Sequence, residues 1–559
     1  MDDLDLLITN GIVVTASDEA KLDIGIKNGK IAILAPQGLL NTAKKVINAK
    51  GGYITPGGVD THVHLEEPAL FGGKGRSSDN FETGTRSAIC GGTTTIVAFA
   101  PQAKTEGSLL EVLKETHERA RGNCYADYSF HMLCGNPSEK ALSEFPELRR
   151  QGISSLKIYL TYEALQLRDD QVLDVLYSSR KEGFTTMIHG ENGDVLNWMT
   201  KKLEALNLVA PKYHATSRPQ LVETEATYRA IMLAELMDAP ILVVHVSSPS
   251  AAAHLRNAQT RGLPVYAETC PQYLFLTRED LDKPGFEGAK CVCSPPPREN
   301  SGDHDAIWLG LSNGTFTVLS SDHCPFDYEN TEIGKKSTLS VEHPNGKFAH
   351  IPNGLPGVET RLATVLSAGR LSMQKFVEVT STNAAKLYGL YPQKGSILPG
   401  VSDADLVIWY PSQGKDGALT PFTLTNSMLH HRCDYTPYEG QVLTQWPRYT
   451  ILRGEVVYDH EGEGLQALAI QAPKRSDFFI VQKSAVSIAK PLSMVSINGL
   501  PPVGMGGDQF VDVDGIEARV ASAGSEVDEH TAVGAEVSVT AEALNVDLVA
   551  NLFVLSDRG

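Results

Sequence analysis

No apolar stretch of this sequence is long enough to cross a bilayer, and Met1-Asp2-Asp3-Leu4-Asp5 lacks the basic start of a signal or transit peptide. A cytoplasmic location is expected. Cysteine is scarce: eight residues in 559, closely spaced only in Cys291-Val292-Cys293, with no second Cys or His pair to complete a structural zinc site. Free thiols in a reducing compartment are the better reading. Positive charge is short too, the formal net charge being −18. Nucleic acid and anionic membrane surfaces attract basic patches, so neither is expected as the main partner. What is present, 42% hydrophobic and 21% charged residues, is the composition of a globular protein. The length exceeds what one hydrophobic core usually supports, so two or three structural units are expected.

Residues able to do chemistry fall within or at the ends of short β-like runs. Val59-Asp60-Thr61-His62-Val63-His64 places two histidines at i and i+2 on the last residues of an apolar run, Tyr53 to Leu65, that reads as one strand. Side chains two apart on a strand share a face, so both imidazoles can reach one ion. The run Ser154-Ser155-Leu156-Lys157-Ile158-Tyr159-Leu160 holds a lysine in an otherwise apolar stretch, where an unpaired ammonium is costly. Further runs end in His189, His245 and Asp322. Taken singly, a buried histidine is more often a satisfied core residue than a ligand, and an Asp after Ser-Ser is an ordinary strand-end cap. The six together point to a metal site.

Strands alternating with helix-length segments predict an α/β fold, a (β/α)8 TIM barrel whose catalytic residues gather at the C-terminal ends of its strands. In order, the strands end at His64, Phe99, Met132, Leu160, His189, His245, Glu268 and Asp322. Helix-like stretches between them include Leu109 to Arg121, Asp170 to Lys181, Glu223 to Met237 and Pro249 to Arg261. Short β-like runs also precede the barrel, punctuated by Asn10-Gly11 and Asn28-Gly29, which read as turns. Similar runs return at Ala404 to Tyr410 and Tyr449 to Tyr458. The simplest division makes 1–56 and 394–464 the two parts of a flanking β-sandwich and 57–393 the barrel. Residues 465–559 form a tail rich in Ala, Val, Ser and Gly, expected to be partly disordered or draped on a neighbouring subunit.

As an ordered set, the motifs resemble the dihydropyrimidinase and D-hydantoinase family of cyclic amidohydrolases. They are Gly58-Val59-Asp60-Thr61-His62-Val63-His64, Lys157 with Tyr162, His189-Gly190-Glu191-Asn192-Gly193-Asp194, Val244-His245-Val246-Ser247-Ser248, Ser320-Ser321-Asp322-His323, and Asn353-Gly354-Leu355-Pro356-Gly357-Val358-Glu359. The likeness runs to about Tyr458. Gly190 departs from it, since the family usually has alanine there.

The resemblance implies two zinc ions per subunit, bridged by a hydroxide and by Lys157 carbamylated with carbon dioxide. His62, His64 and Asp322 would complete one ion, and His189 and His245 the other; manganese or another divalent ion could substitute. A core lysine with a depressed pKa or a hidden carboxylate partner is the alternative for Lys157. Asp322 would move the proton from the attacking water to the leaving nitrogen, and Tyr162 would hydrogen-bond the oxyanion, its alternative being a rim aromatic. Backbone groups at Ser294 and Asn353 would hold the amide edge of the substrate, although ordinary turns would look the same in sequence. The segment Leu65 to Gly73 would form part of the pocket rim, where Glu66 and Glu67 could equally be a solvated face.

The implied reaction is hydrolytic ring opening of 5,6-dihydrouracil and dihydrothymine to N-carbamoyl-β-amino acids, with hydantoin hydrolysis as a side activity. The implied assembly is a homotetramer. Dihydroorotases typically place an arginine two residues after the second histidine, where Glu66 stands here. Allantoinases share His-Val-His followed by Glu-Pro but fit Tyr162 and the Asn353 to Glu359 segment less well. Non-catalytic dihydropyrimidinase-related scaffolds have lost metal ligands that this chain keeps.

Overall fold

A computed structural model describes residues 4–67 and 75–462. The expected tail, 465–559, and most of the rim segment, 68–73, lie outside the described residues. No helix among the described residues is long and apolar enough to cross a membrane.

Five strands precede the barrel: β1 (Leu6–Val14), β2 (Glu19–Lys27), β3 (Lys30–Pro36), β4 (Lys45–Asn48) and β5 (Tyr53–Pro56). Asn28 and Gly29 both take positive φ and turn β2 into β3, the geometry that an Asn-Gly hairpin supplies. Asn10-Gly11 does something else. The chain stays extended through it, and the β1 to β2 register shifts between Ile8 and Gly11, with Asn10 at φ 56°. A bulge has formed where the dipeptide predicted a turn. The side chains on both sides explain this: Ile8 and Val13 are buried in one core, so the strand must continue.

The apolar run Tyr53 to Leu65 is two strands rather than one. It divides at Gly57, where any Cβ would lie 2.1 Å from Thr94 Oγ1, so only glycine lets the chain pass. β5 stays with the flanking sheet. The eight barrel strands then follow: β6 (Gly58–Val63), β7 (Thr93–Pro101), β8 (Asp127–Leu133), β9 (Ser155–Tyr159), β10 (Thr185–His189), β11 (Ile241–Val243), β12 (Val265–Thr269) and β13 (Val318–Leu319). Each pairs in parallel with the next.

The seam between β13 and β6 is closed by a single bridge, Val63 to His323. Side chains reinforce it. Asp60 Oδ1 accepts from the Ser321 amide at 3.1 Å, and Arg361, fully buried, donates to Leu319 O at 2.8 Å and lies 3.3 Å from Asp60 Oδ2. Around the barrel, helices bury one stripe each. Leu109–Ala120 turns Leu109, Val112, Leu113, Thr116 and Ala120 inward, the i, i+3, i+4, i+7 spacing of an amphipathic helix.

After the barrel come β14 (Leu406–Trp409), a short hairpin of β15 (Phe422–Thr423) and β16 (Val442–Leu443), then β17 (Pro447–Leu452) and β18 (Glu455–Asp459). Both ends of the chain join one mixed sheet, ordered β18-β17-β14-β5-β1-β2-β3, with β4 also paired to β1. Ile8, Ile24, Ile54, Leu406, Ile408 and Ile451 form its core. Each fully buried side chain of this kind is worth about 1.5–3 kcal/mol, so the terminal strands are firmly held. At the base of the barrel, Lys394 lies 2.5 Å from Asp127 at the start of β8 and 2.6 Å from Asp405 beside β14. That cluster pins barrel to sheet.

Candidate active site

His62 stands in β6 and His64 just beyond it, Lys157 in β9 and His189 at the end of β10; His245 and Asp322 follow β11 and β13. The C-terminal strand ends thus bring the expected residues to one mouth. The His62 ring centroid is 5.2 Å from that of His64 and 5.4 Å from that of His245, which is 4.5 Å from His189. Asp322 Oδ1 lies 3.2 Å from His62 Nε2 and 3.5 Å from His64 Nε2. Tyr162, His245 and Asp322 take φ of 65°, 39° and 50°. Non-glycine residues held there cost about 1–3 kcal/mol each and persist where the surroundings impose them, commonly at functional sites.

Several buried polar atoms in this cluster have no hydrogen-bond partner: Lys157 Nζ, His62 Nε2 and His245 Nδ1. Leaving such a group unmade costs about 1–3 kcal/mol, more when it is charged. Lys157 sits over the rings of Phe99 and Tyr159, at 5.5 and 5.1 Å from their centroids. Burial lowers its pKa to about 8, against the opposing pull of Glu268 and Asp322. Burial also holds His62, His189 and His245 below the usual imidazole range. At His64 burial is outweighed by Glu67 and Asp322, which raise it to about 9. Burial would raise Asp322, but His62 and His64 overcome it and keep the carboxylate ionised. Nitrogen and carboxylate atoms of His62, His64 and Asp322 all lie within 4.8 Å of one another, a candidate metal site. Neutral imidazoles at His62, His189 and His245, an ionised Asp322 carboxylate and orphaned nitrogens fit a divalent transition metal, for which His64 would have to give up its proton.

Carboxylates behind the imidazoles escaped the sequence reading. Glu268 Oε1 lies 2.6 Å from His62 Nδ1 and accepts from the His245 amide at 3.2 Å. Glu67 is 2.8 Å from His64 Nδ1 and buried, so it is no solvated face. Glu191 meets His189 Nε2 at 2.7 Å and is neutralised by Arg218 at 2.6 Å. Carboxylates in this position fix ring orientation and raise donor strength at metal sites. A charged residue closing an apolar strand was the available signal for Glu268; Arg218, far off in sequence, offered none.

The outer wall is polar. Asn353 Nδ2 donates to the Tyr162 hydroxyl at 3.3 Å and to Ser294 Oγ at 3.2 Å, so all three line the same cavity as the histidines and Asp322. Burial pushes the Tyr162 phenol up to about 12, which keeps its proton available for donation.

Residues 53–457 match the model of the Amidohydrolase family. The chain is 40% identical over 460 residues to a D-hydantoinase of Ralstonia pickettii, covering 82% of this chain and 95% of that one. The crystal structure of dihydropyrimidinase from Brevibacillus agri is similar with a TM-score of 0.78 at 38% identity, covering 86% of this chain and 99% of that one. A D-hydantoinase (dihydropyrimidinase) from Thermus sp. gives 0.77 at 31% identity, with the same coverage. Fold, clustered imidazoles and these likenesses agree: the chain belongs to the hydantoinase/dihydropyrimidinase family of amidohydrolases and is a cyclic amide hydrolase of that type.

Proposed function

We propose that the enzyme opens 5,6-dihydrouracil and dihydrothymine to N-carbamoyl-β-amino acids. Metal-dependent ring opening is supported by the orphaned set at the barrel mouth, Lys157 Nζ, His62 Nε2 and His245 Nδ1, buried without hydrogen-bond partners beside Asp322. The dihydropyrimidine substrate is supported by the likeness to the Brevibacillus dihydropyrimidinase. In this reading His62, His64 and Asp322 hold one zinc ion, and His189 and His245 the other. Two such ions supply Lewis acidity, polarising the amide carbonyl and making a nearby water acidic enough to attack at neutral pH.

Lys157 is suited to join them. With its pKa lowered to about 8, a useful fraction is neutral amine at neutral pH, the form that adds carbon dioxide. The ammonium gives up one proton, the neutral amine forms an N–C bond to the carbon of carbon dioxide and loses a second, and the resulting carbamate anion would be a further ligand for the metals. Asp322, held ionised by its histidines, takes the proton of the attacking water and delivers it to the ring nitrogen as the C–N bond breaks. Tyr162 donates to the developing oxyanion, and the peptide groups at Ser294 and Asn353 grip the amide edge of the ring.

A second reading, a hydantoinase acting on hydantoins, is favoured by the likeness to the Ralstonia D-hydantoinase. Ring opening of dihydrouracil, hydantoin, allantoin and dihydroorotate under one condition decides between them: dihydrouracil should have the largest kcat/KM. A larger value for hydantoins would transfer the assignment to the second reading. The proposed homotetramer requires apolar contact faces, and the helix Gln220–Met237 offers one: its outer face exposes Leu221, Tyr228, Met232 and Leu236 opposite the face it packs on the barrel. Sedimentation analysis tests it.

A further inference from the structure

Lys335 is fully buried, yet no carboxylate lies within ion-pair distance of it among the described residues. Its ammonium donates instead to three backbone carbonyls: Pro352 O at 2.9 Å, Gly354 O at 3.0 Å and Val292 O at 3.3 Å. Three N–H bonds meet three acceptors, so the group is saturated. The nearest acidic side chains are thiols, Cys433, Cys293, Cys291 and Cys324, and burial raises the pKa of each. They stay neutral and give no counter-charge. A buried cation without one is expensive, and what offsets that cost here is the satisfaction of three carbonyls.

The carbonyls identify what the cation does. Val292 O lies two residues before Ser294, while Pro352 O and Gly354 O flank Asn353. The two segments are otherwise joined by a single backbone hydrogen bond, Gly354 N to Val292 O at 3.1 Å, and by the Asn353 to Ser294 side-chain contact at 3.2 Å. Among the described residues, Lys335 is the one charged group bonded to both. It touches neither the histidine cluster nor Asp322.

We propose that Lys335 is a positioning residue for the substrate: its ammonium clamps the peptides around Ser294 and Asn353 into the register that grips the amide edge of the ring. The inference rests on the substrate contacts assigned to those two residues under the proposed function. Lys335→Met keeps most of the length and bulk of the side chain but donates nothing. In the metal-loaded enzyme it should raise KM for dihydrouracil about tenfold or more, the scale expected for lost hydrogen bonds to a charged group, while kcat changes far less. Metal content should match wild type. The penalty should shrink with δ-valerolactam, a ring amide that lacks the second carbonyl and second nitrogen of that edge.

The wild-type enzyme separates the two ways of failing. If it binds δ-valerolactam as well as dihydrouracil, the assigned edge contacts are wrong whatever Lys335 does. If wild type discriminates between the rings and Lys335→Met has an unchanged KM, or loses kcat and metal instead, the clamp is wrong. Should the methionine variant not fold, Lys335→Gln, which retains two N–H donors, is read by the same outcomes.

Discussion

The two ends of the barrel each bury a lysine and treat it in opposite ways. At the base, Lys394 is surrounded by Asp127, Asp403 and Asp405 at 2.5, 3.0 and 2.6 Å, with Arg453 on Asp127 and Lys30 on Asp403 completing the balance. At the mouth, Lys157 has no hydrogen-bond partner, although three carboxylates are near enough to influence it. Those carboxylates are committed elsewhere, Glu268 to His62, Asp322 to His62 and His64, and Glu67 to His64. A saturated cluster serves stability, whereas an unsaturated one is arranged for something that binds. The difference follows the division of labour in such barrels, with chemistry at the C-terminal face and stability at the other.

Removing each lysine tests the distinction most severely. Lys157→Ala should lose its metals and nearly all activity while the melting temperature stays close to that of the metal-free wild type, because no hydrogen bond is deleted. Lys394→Met should do the reverse, costing about 3–5 kcal/mol of stability by stranding buried carboxylates, with kcat/KM of the folded protein preserved. Elemental analysis, thermal melts and steady-state kinetics read both. Full metal content in Lys157→Ala, or unchanged stability in Lys394→Met, would erase the contrast.

A smaller effect separates chemistry from metal binding within the mouth. Tyr162→Phe should keep both ions while kcat/KM falls by about 10²–10³, the range for one oxyanion donor. Unchanged kinetics would make Tyr162 a wall residue. Smaller still, Glu268→Gln should weaken metal affinity by about 10–100-fold without abolishing it, as loss of an orienting carboxylate does at other metal sites. Competition with a chelator measures it, and unaltered affinity would reduce Glu268 to a core carboxylate.

The mildest effect concerns His214, which donates from Nε2 to Cys293 O at 2.8 Å behind the substrate loop. Burial, aided by Arg218, depresses it to about 3. Its unfolded value is near the ordinary 6.5, so between pH 6.5 and 3 the unfolded chain binds one more proton than the native state. Stability from this group is therefore complete above pH 6.5 and falls on acidification, by about 1.4 kcal/mol per pH unit within that window. His214→Gln should flatten the acid side of the melting curve against pH. An identical pH profile in the variant would contradict the assignment.

Much of this was legible in the sequence because the chemistry sits on strands. Histidines at i and i+2, and polar residues closing apolar runs, mark strand ends directly, so the eight strands and the convergence of His62, His64, Lys157, His189, His245 and Asp322 could be read before any coordinates. Boundaries were less visible where one apolar run served two sheets, as at Gly57, or where an Asn-Gly pair sat in a strand whose neighbours had to remain buried, as at Asn10. Side chains that act through others were invisible for another reason. Arg218 reaches Glu191 across 27 positions and Lys335 reaches Val292 O across 43, and nothing local in the sequence encodes such pairings.

The central claim is that the partnerless amine of Lys157 exists to become a ligand. A crystal structure of the metal-loaded enzyme at high resolution tests it most directly. The expected result is electron density continuing beyond Lys157 Nζ as a carbamate between two ions, one held by His62, His64 and Asp322 and the other by His189 and His245. Density ending at a plain amine, with both ions bound, would contradict it.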